Sequence, residues 1–176
     1  MLKSLSNFIF PAQAQAGKVK TGSWLSLALL IIVLDQISKL WISSNFYYGE
    51  SLRVTGFFNL VLAHNSGAAF SFLSDAGGWQ RWLFSAIALV AAVWIVRLLR
   101  QHAHETLFCL ALALVLGGAL GNLIDRVAYG YVVDFLSFHW DIDFLPIFNP
   151  FPAFNIADSA ISVGAALLLL DSFKKK

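Results

Sequence analysis

Gly117-Gly118-Ala119-Leu120-Gly121-Asn122-Leu123-Ile124-Asp125-Arg126 ends a long apolar run, and Gly130-Tyr131-Val132-Val133-Asp134-Phe135 follows directly. Glycines, an amide, two carboxylates and a guanidinium are costly at the edge of a bilayer, so they mark a place where function outweighs that cost. The chain around them has the composition of a membrane protein. It is 59% hydrophobic and 12% charged, against roughly 45–50% and roughly 25% in soluble domains.

Four apolar runs, at 24–42, 82–96, 107–124 and 153–170, are each near the ~20 residues that cross a hydrocarbon core. The expected fold is an all-α membrane protein with four transmembrane helices. A small extracytoplasmic β element and an interfacial loop or helix complete it. Residues 1–23 read as a cytoplasmic tail, 24–171 as the transmembrane domain and 172–176 as a basic cytoplasmic tail. A cleavable leader is not expected, because Phe8-Ile9-Phe10 is far shorter than the ~7–15 residues of an apolar leader core. Lys3, Lys18 and Lys20, then Arg97 and Arg100, then Lys174, Lys175 and Lys176 fall on one side of an even number of spans. The excess of basic residues makes that side cytoplasmic and both termini internal.

The outer segments differ in character. Leu52–Thr55 and Phe57–Leu62, separated by Gly56, alternate as a strand pair, and His64–Phe70 reads as a loop. The stretch 127–152 mixes Trp140, phenylalanines, Pro146, Pro150 and Pro152, which suits an interface.

Helical register gathers the polar residues in one layer. Asp35 and Lys39 are four apart and able to pair. Gly118, Asn122 and Asp125 form one stripe, and Gly117 with Gly121 forms a small-residue face for close helix approach. Asn155 and Asp158 lie in the outer part of the fourth span, with Asp158 ~8 Å inside its boundary. Asp134 belongs to the outer loop. An ion carrier needs polar groups along its whole path, and an inverted repeat is common there; neither is present. A +2 net charge with no basic stripe excludes nucleic acid as partner.

The chemistry available in that layer is carboxylate chemistry. His102-Ala103-His104-Glu105 lacks the spacing of a zinc helix and lies on the other side. Cys109, the lone cysteine, reads as a small core residue. Two carboxyls sharing a proton activate water and protonate a leaving amine. Asp158 has no basic neighbour in sequence, and Asp125 beside Arg126 reads equally as a pair at a helix end. Patterning leaves Asp125 and Asp134 open as the second member of a dyad. A non-enzymatic protein holding a lipidated segment is the alternative function, and a transporter the third.

Five segments resemble the signal peptidase II family of lipoprotein signal peptidases. They are Asp35-Gln36-Ile37-Ser38-Lys39, Asn65-Ser66-Gly67-Ala68-Ala69-Phe70, Gly118–Arg126, Gly130–Phe135 and Phe154-Asn155-Ile156-Ala157-Asp158. The resemblance implies an aspartyl endopeptidase of the bacterial inner membrane with Asp134 and Asp158 as its catalytic pair and no metal or cofactor. Asp35, Lys39, Asn65, Gly67, Asn122, Asp125, Arg126 and Asn155 would bind substrate or hold the pair. The implied partners are membrane lipids and prolipoproteins carrying a diacylglyceryl-cysteine, cut just before that cysteine by a monomeric enzyme near the outer face. One departure stands in the last motif. Phe148-Asn149-Pro150 imitates its start, but position 152 is proline, so Phe154-Asn155 is the match, and 137–152 is longer than the family pattern leads one to expect.

Overall fold

The computed structural model describes residues 13–67, 77–140 and 151–175, with side chains from Thr21 onward. Four helices form the body: α1 (Gln13–Asn45), α2 (Gln80–Gln101), α3 (Thr106–Tyr129) and α4 (Ile156–Lys174). Each is long and apolar enough to cross a membrane. Three strands, β1 (Ser51–Arg53), β2 (Phe58–Asn65) and β3 (Val132–Phe138), make an antiparallel sheet in the order β1-β2-β3. The sheet comes from the α1–α2 and α3–α4 connections, which alternation of the helices places at one end of the bundle.

The helix bounds correct the expected spans. α2 and α3 run further than 82–96 and 107–124, and α4 starts at Ile156 rather than 153, because Asn155 caps it. α1 begins at Gln13, inside the segment read as a tail; residues 1–12 and Lys176 lie outside the described residues. The strand pair is present with shifted bounds, turning where the Val54 and Thr55 amides donate to the Phe58 carbonyl at 3.0 Å each. β3 was not expected. Asp134 lies on this strand, not in a loop, and Asn65 ends β2 rather than standing in a loop. Tyr131–Phe138 alternates weakly because β3 is buried on both faces through most of its length, and that removes the period-two signal. Most of the longer 137–152 segment, 141–150, lies outside the described residues.

α3 is the central helix. Half of its apolar window is buried against 28% or less in the other three, and its glycines explain why neighbours come so close. A Cβ on Gly117 would lie 2.8 Å from the Ala28 carbonyl oxygen of α1. One on Gly118 would lie 2.3 Å from the Ala157 carbonyl oxygen of α4, and one on Gly121 2.7 Å from the Asp35 carboxylate. The α1, α3 and α4 backbones therefore meet beside the polar residues. Outward-facing Leu29, Leu30, Ile37, Val90, Val93, Trp94 and Leu169 are exposed, as lipid-facing positions are. Cys109 is fully buried, and its thiol donates to the His102 carbonyl at 3.0 Å.

Gly118→Ala is expected to push α4 away from α3, at a cost of ~1–3 kcal/mol for the forced repacking. Gly22→Ala, with nothing within 4 Å of the added carbon, serves as the matched control. Melting temperatures in detergent check this: the Gly118 variant should fall by several degrees and the Gly22 variant should not.

Candidate active site

Lys39 is the hub of the polar layer. Its ammonium carries three N–H donors, and all three are used. They go to Asp35 Oδ2 at 2.8 Å, Asp125 Oδ2 at 2.9 Å and Asn122 Oδ1 at 2.9 Å. Lys39, Asp35 and Asp125 are only 3%, 0% and 1% exposed, so this is a buried ion triad with one excess negative charge. Backbone donors take up that excess. Asp35 Oδ1 accepts from the Ala157 amide at 2.9 Å, and Asp125 Oδ2 accepts from the Val133 amide at 3.1 Å. The Ala157 N–H lies in the first turn of α4, where it has no partner within the helix and where the helix dipole favours a carboxylate. Asp35 thus ties α1 to the start of α4.

Asp125 does not pair with Arg126. Adjacent residues on a helix point in different directions, and Asp125 turns inward to Lys39. Arg126 instead donates from Nη2 to the Gly67 carbonyl at 3.0 Å, and its guanidinium lies 5.4 Å from the Phe84 ring centre. Its Nε is buried with no hydrogen-bond partner among the described residues.

Asp158 is held at the N-terminus of α4. Asn155 is the N-cap: its Oδ1 accepts from the Asp158 amide at 2.9 Å, and its own amide donates back to Asp158 Oδ2 at 3.3 Å. This reciprocal capping box is the partner that Asp158 lacks in a purely sequential reading. It also puts Asp158 in the first turn, shallower than expected. The other oxygen, Oδ1, accepts from Asn122 Nδ2 at 2.7 Å. Asn122 is thereby fixed at both ends, by Lys39 and by Asn155 Nδ2 (3.2 Å) at its carbonyl and by Asp158 at its amide.

Asp134 comes in from the sheet. Its Oδ1 accepts from Asn155 Nδ2 at 2.7 Å and its Oδ2 from Asn65 Nδ2 at 3.1 Å. A bulge makes the second contact possible. Leu60 pairs with Leu136 but Ala63 with Asp134, so β2 carries one residue more than β3 between them. Without the extra residue Asn65 would pair with Tyr131 and point to the opposite face from Asp134. Asn65 Oδ1 in turn accepts from the Gly67 amide at 3.0 Å, which presents the Gly67 carbonyl to Arg126.

All ten residues singled out in the sequence belong to one connected network. Asp35 and Asp125 join at Lys39, from which the line runs through Asn122, Asp158, Asn155, Asp134, Asn65 and Gly67 to Arg126. Gln36 was missed. Its Nε2 donates to Asp125 Oδ1 at 2.9 Å and to the Gly121 carbonyl at 3.2 Å. The signal was a polar residue between Asp35 and Lys39 in an apolar helix. Phe84, behind the Arg126 guanidinium, left no trace in sequence.

The two ends of the network differ in charge balance. Asp125 and Asp35 face an ammonium directly, whereas the side-chain donors to Asp134 and Asp158 are neutral amides. Burial, and then the negative charge of Asp158, push the Asp134 carboxyl up to about 7; the Asn65 and Asn155 hydrogen bonds and the Lys39 charge pull the other way. A carboxyl in that range exchanges protons near neutral pH, as acid–base catalysis requires.

Known proteins supply independent evidence. The family model for signal peptidase (SPase) II matches residues 27–174. A lipoprotein signal peptidase of Ralstonia nicotianae is 56% identical over 154 residues, covering 88% of this chain and 86% of that protein. One from Cupriavidus necator is 55% identical over 157 residues, covering 86% and 83%. A bacterial membrane enzyme solved by the in meso method at 2.3 Å resolution superposes with a TM-score of 0.76 and 32% identity, covering 87% of this chain and 88% of its own. A one-ended layer of carboxyls on four spans had indicated chemistry or binding on something embedded in the bilayer, and the chain belongs to the signal peptidase II family, as a multi-pass bacterial membrane protease that removes signal peptides from lipoprotein precursors.

Proposed function

We propose that Asp134 and Asp158 are the catalytic carboxyls and that the bond they split lies just before a diacylglyceryl-modified cysteine. The observation that carries this reading is Asn155, one buried residue that donates to both carboxyls, from Nδ2 to Asp134 and from its backbone N–H to Asp158. No other pair of acids in the network is bridged by a neutral donor alone.

Asp158 serves as the base. It takes a proton from water as the water oxygen attacks the scissile carbonyl carbon. Asp134, protonated, donates a hydrogen bond to the carbonyl oxygen and stabilises it as negative charge develops there. When the tetrahedral intermediate collapses, the C–N bond breaks and the proton held by Asp158 passes to the leaving amine. Arg126 adds positive charge beside both acids. Asp35, Lys39 and Asp125 act behind the pair by fixing Asn122 and the start of α4, and Asn65 and Gly67 fix Asp134 and Arg126.

The site faces the outer side of the inner membrane, with both termini cytoplasmic. In support, Arg97, Arg100, Lys174 and Lys175 lie at the end of the bundle away from the sheet. The substrate's acyl chains lie against exposed apolar helix faces, and the enzyme works as a monomer.

The purified enzyme, incubated with matched precursors with and without the diacylglyceryl group, tests the reading. Product masses should place the cut immediately before the modified cysteine, and the unmodified precursor should stay largely intact. Equal cleavage of both precursors, or a cut elsewhere, would overturn it.

A further inference from the structure

The end of α2 remote from the site carries charges that its surroundings do not use. Val93, Val96, Arg97 and Arg100 follow the i, i+3, i+4, i+7 spacing of a single helix face. Together with Gln101, all on the outer face of α2, they line an open, shallow cleft of about 560 Å³. Two acids lie at the same end of the bundle, Glu105 and Asp171, and Lys175 binds both. Arg97 and Arg100 consequently have no ion pair among the described residues, and both are exposed.

The cleft is apolar on its membrane-ward side and cationic at the helix end. Val90, Val93 and Trp94 continue the apolar surface toward the middle of the span. Two guanidiniums one turn apart match the oxygens of a phosphodiester, since Arg presents planar, paired donors to phosphate. Free phosphate would use the guanidiniums but leave the valine wall uncovered. A zwitterionic lipid would cover the wall but bring its own cation to the arginines. Only an anionic lipid satisfies both halves. Thr21 Oγ1 donates to the Leu99 carbonyl, so α1 passes this end of α2, with Lys18 and Lys20 just before it in sequence.

We propose that this cleft is a binding site for an anionic phospholipid. Its phosphate sits between Arg97 and Arg100, and an acyl chain runs along Val96 and Val93. Basic clefts at the ends of membrane helices recognise headgroups in this way. The bound lipid secures the α2 end at the interface and takes no part in peptide hydrolysis.

Phosphatidylglycerol, phosphatidylcholine and inorganic phosphate are each titrated into the detergent-purified full chain, and the melting temperature is followed. Phosphatidylglycerol should raise it saturably, and the other two should not. Arg97→Gln with Arg100→Gln should weaken the phosphatidylglycerol midpoint on the order of 30-fold, from the loss of two basic contacts. Turnover in detergent alone should stay at the parent level. Val93→Trp, which fills the cleft and keeps both arginines, should also abolish the response, and it decides the matter if the double variant does not fold. An equal response to phosphatidylcholine overturns the proposal, and so does full stabilisation by inorganic phosphate. A double-variant midpoint within about threefold of the parent, or an undiminished response in Val93→Trp, overturns it as well.

Discussion

Asp134→Asn and Asp158→Asn are each expected to lower turnover roughly 10³-fold or more while the protein accumulates and inserts normally. General acid and general base contributions are each typically about 10²–10⁴-fold; in the proposed mechanism loss of Asp158 removes both proton transfers, and loss of Asp134 removes the acid that polarises the carbonyl. Asparagine keeps the size of each side chain, and the helices stay tied together by Lys39, Asp35 and Asp125. The variants should therefore elute and melt as folded proteins. Turnover within about tenfold of the parent in either variant is too small an effect for a group that carries the proton, and the assignment would then be abandoned.

The same pair sets a pH dependence. The Asp134 carboxyl is raised to about 7, by burial first and by Asp158 second. The protonated form that serves as acid declines as pH rises through that value, so turnover should fall on the alkaline side. Stability follows the same sign. A carboxyl whose folded value lies above its usual 3.8 contributes stability that is complete below that lower value and is lost as pH rises toward about 7. Asp134→Asn should remove this part of the dependence. Melting curves of both proteins from pH 5 to 9 would check it, with parallel curves counting against a buried, proton-sharing Asp134.

The second large effect is expected at Lys39. Lys39→Met leaves two buried carboxylates without their cation, and breaking a buried ion pair from one side costs about 3–5 kcal/mol. It also takes from the Asn122 carbonyl the shorter and charged of its two donors, leaving Asn155 Nδ2 at 3.2 Å, so the amide that Asn122 presents to Asp158 is held less firmly. Stability and activity should drop together. Adding Asp125→Asn to Lys39→Met removes one of the stranded charges and should recover part of the melting temperature. It should not recover turnover, because the Lys39–Asn122 hydrogen bond stays broken. Recovery of both would reduce Lys39 to a structural role, and an unaffected single variant would remove the coupling altogether.

Legibility in the sequence followed the range of the interaction. The Asp35–Lys39 pair was readable because four residues is one helical turn, and the two side chains share a face whatever surrounds them. The close helix approach at Gly117, Gly118 and Gly121 was readable as a spacing of small residues, although which helix each one meets was not. Gly117 meets α1, Gly118 meets α4, and Gly121 meets both. Asp158 looked unpartnered because Asn155 was read as a neighbour on the same helix rather than as its cap. β3 was hidden because burial on both faces erases alternation. The β2 bulge was hidden because an extra residue is defined only against the strand it pairs with.

By itself the amino-acid order determined that four apolar spans cross the membrane and that the costly polar groups gather toward one end, since hydrophobic length and helical period are local properties. Its motifs also determined the family. Which acid faces which partner was decided only by the tertiary structure. Asp125 and Asp134 are nine residues apart and equally plausible on paper, yet one turns to an ammonium on α1 and the other to the amides of Asn65 and Asn155. Asp35 binds a backbone amide 122 positions away. Such contacts depend on how helices and sheet close on one another, and a buried carboxyl takes its chemistry from whatever that closure sets beside it.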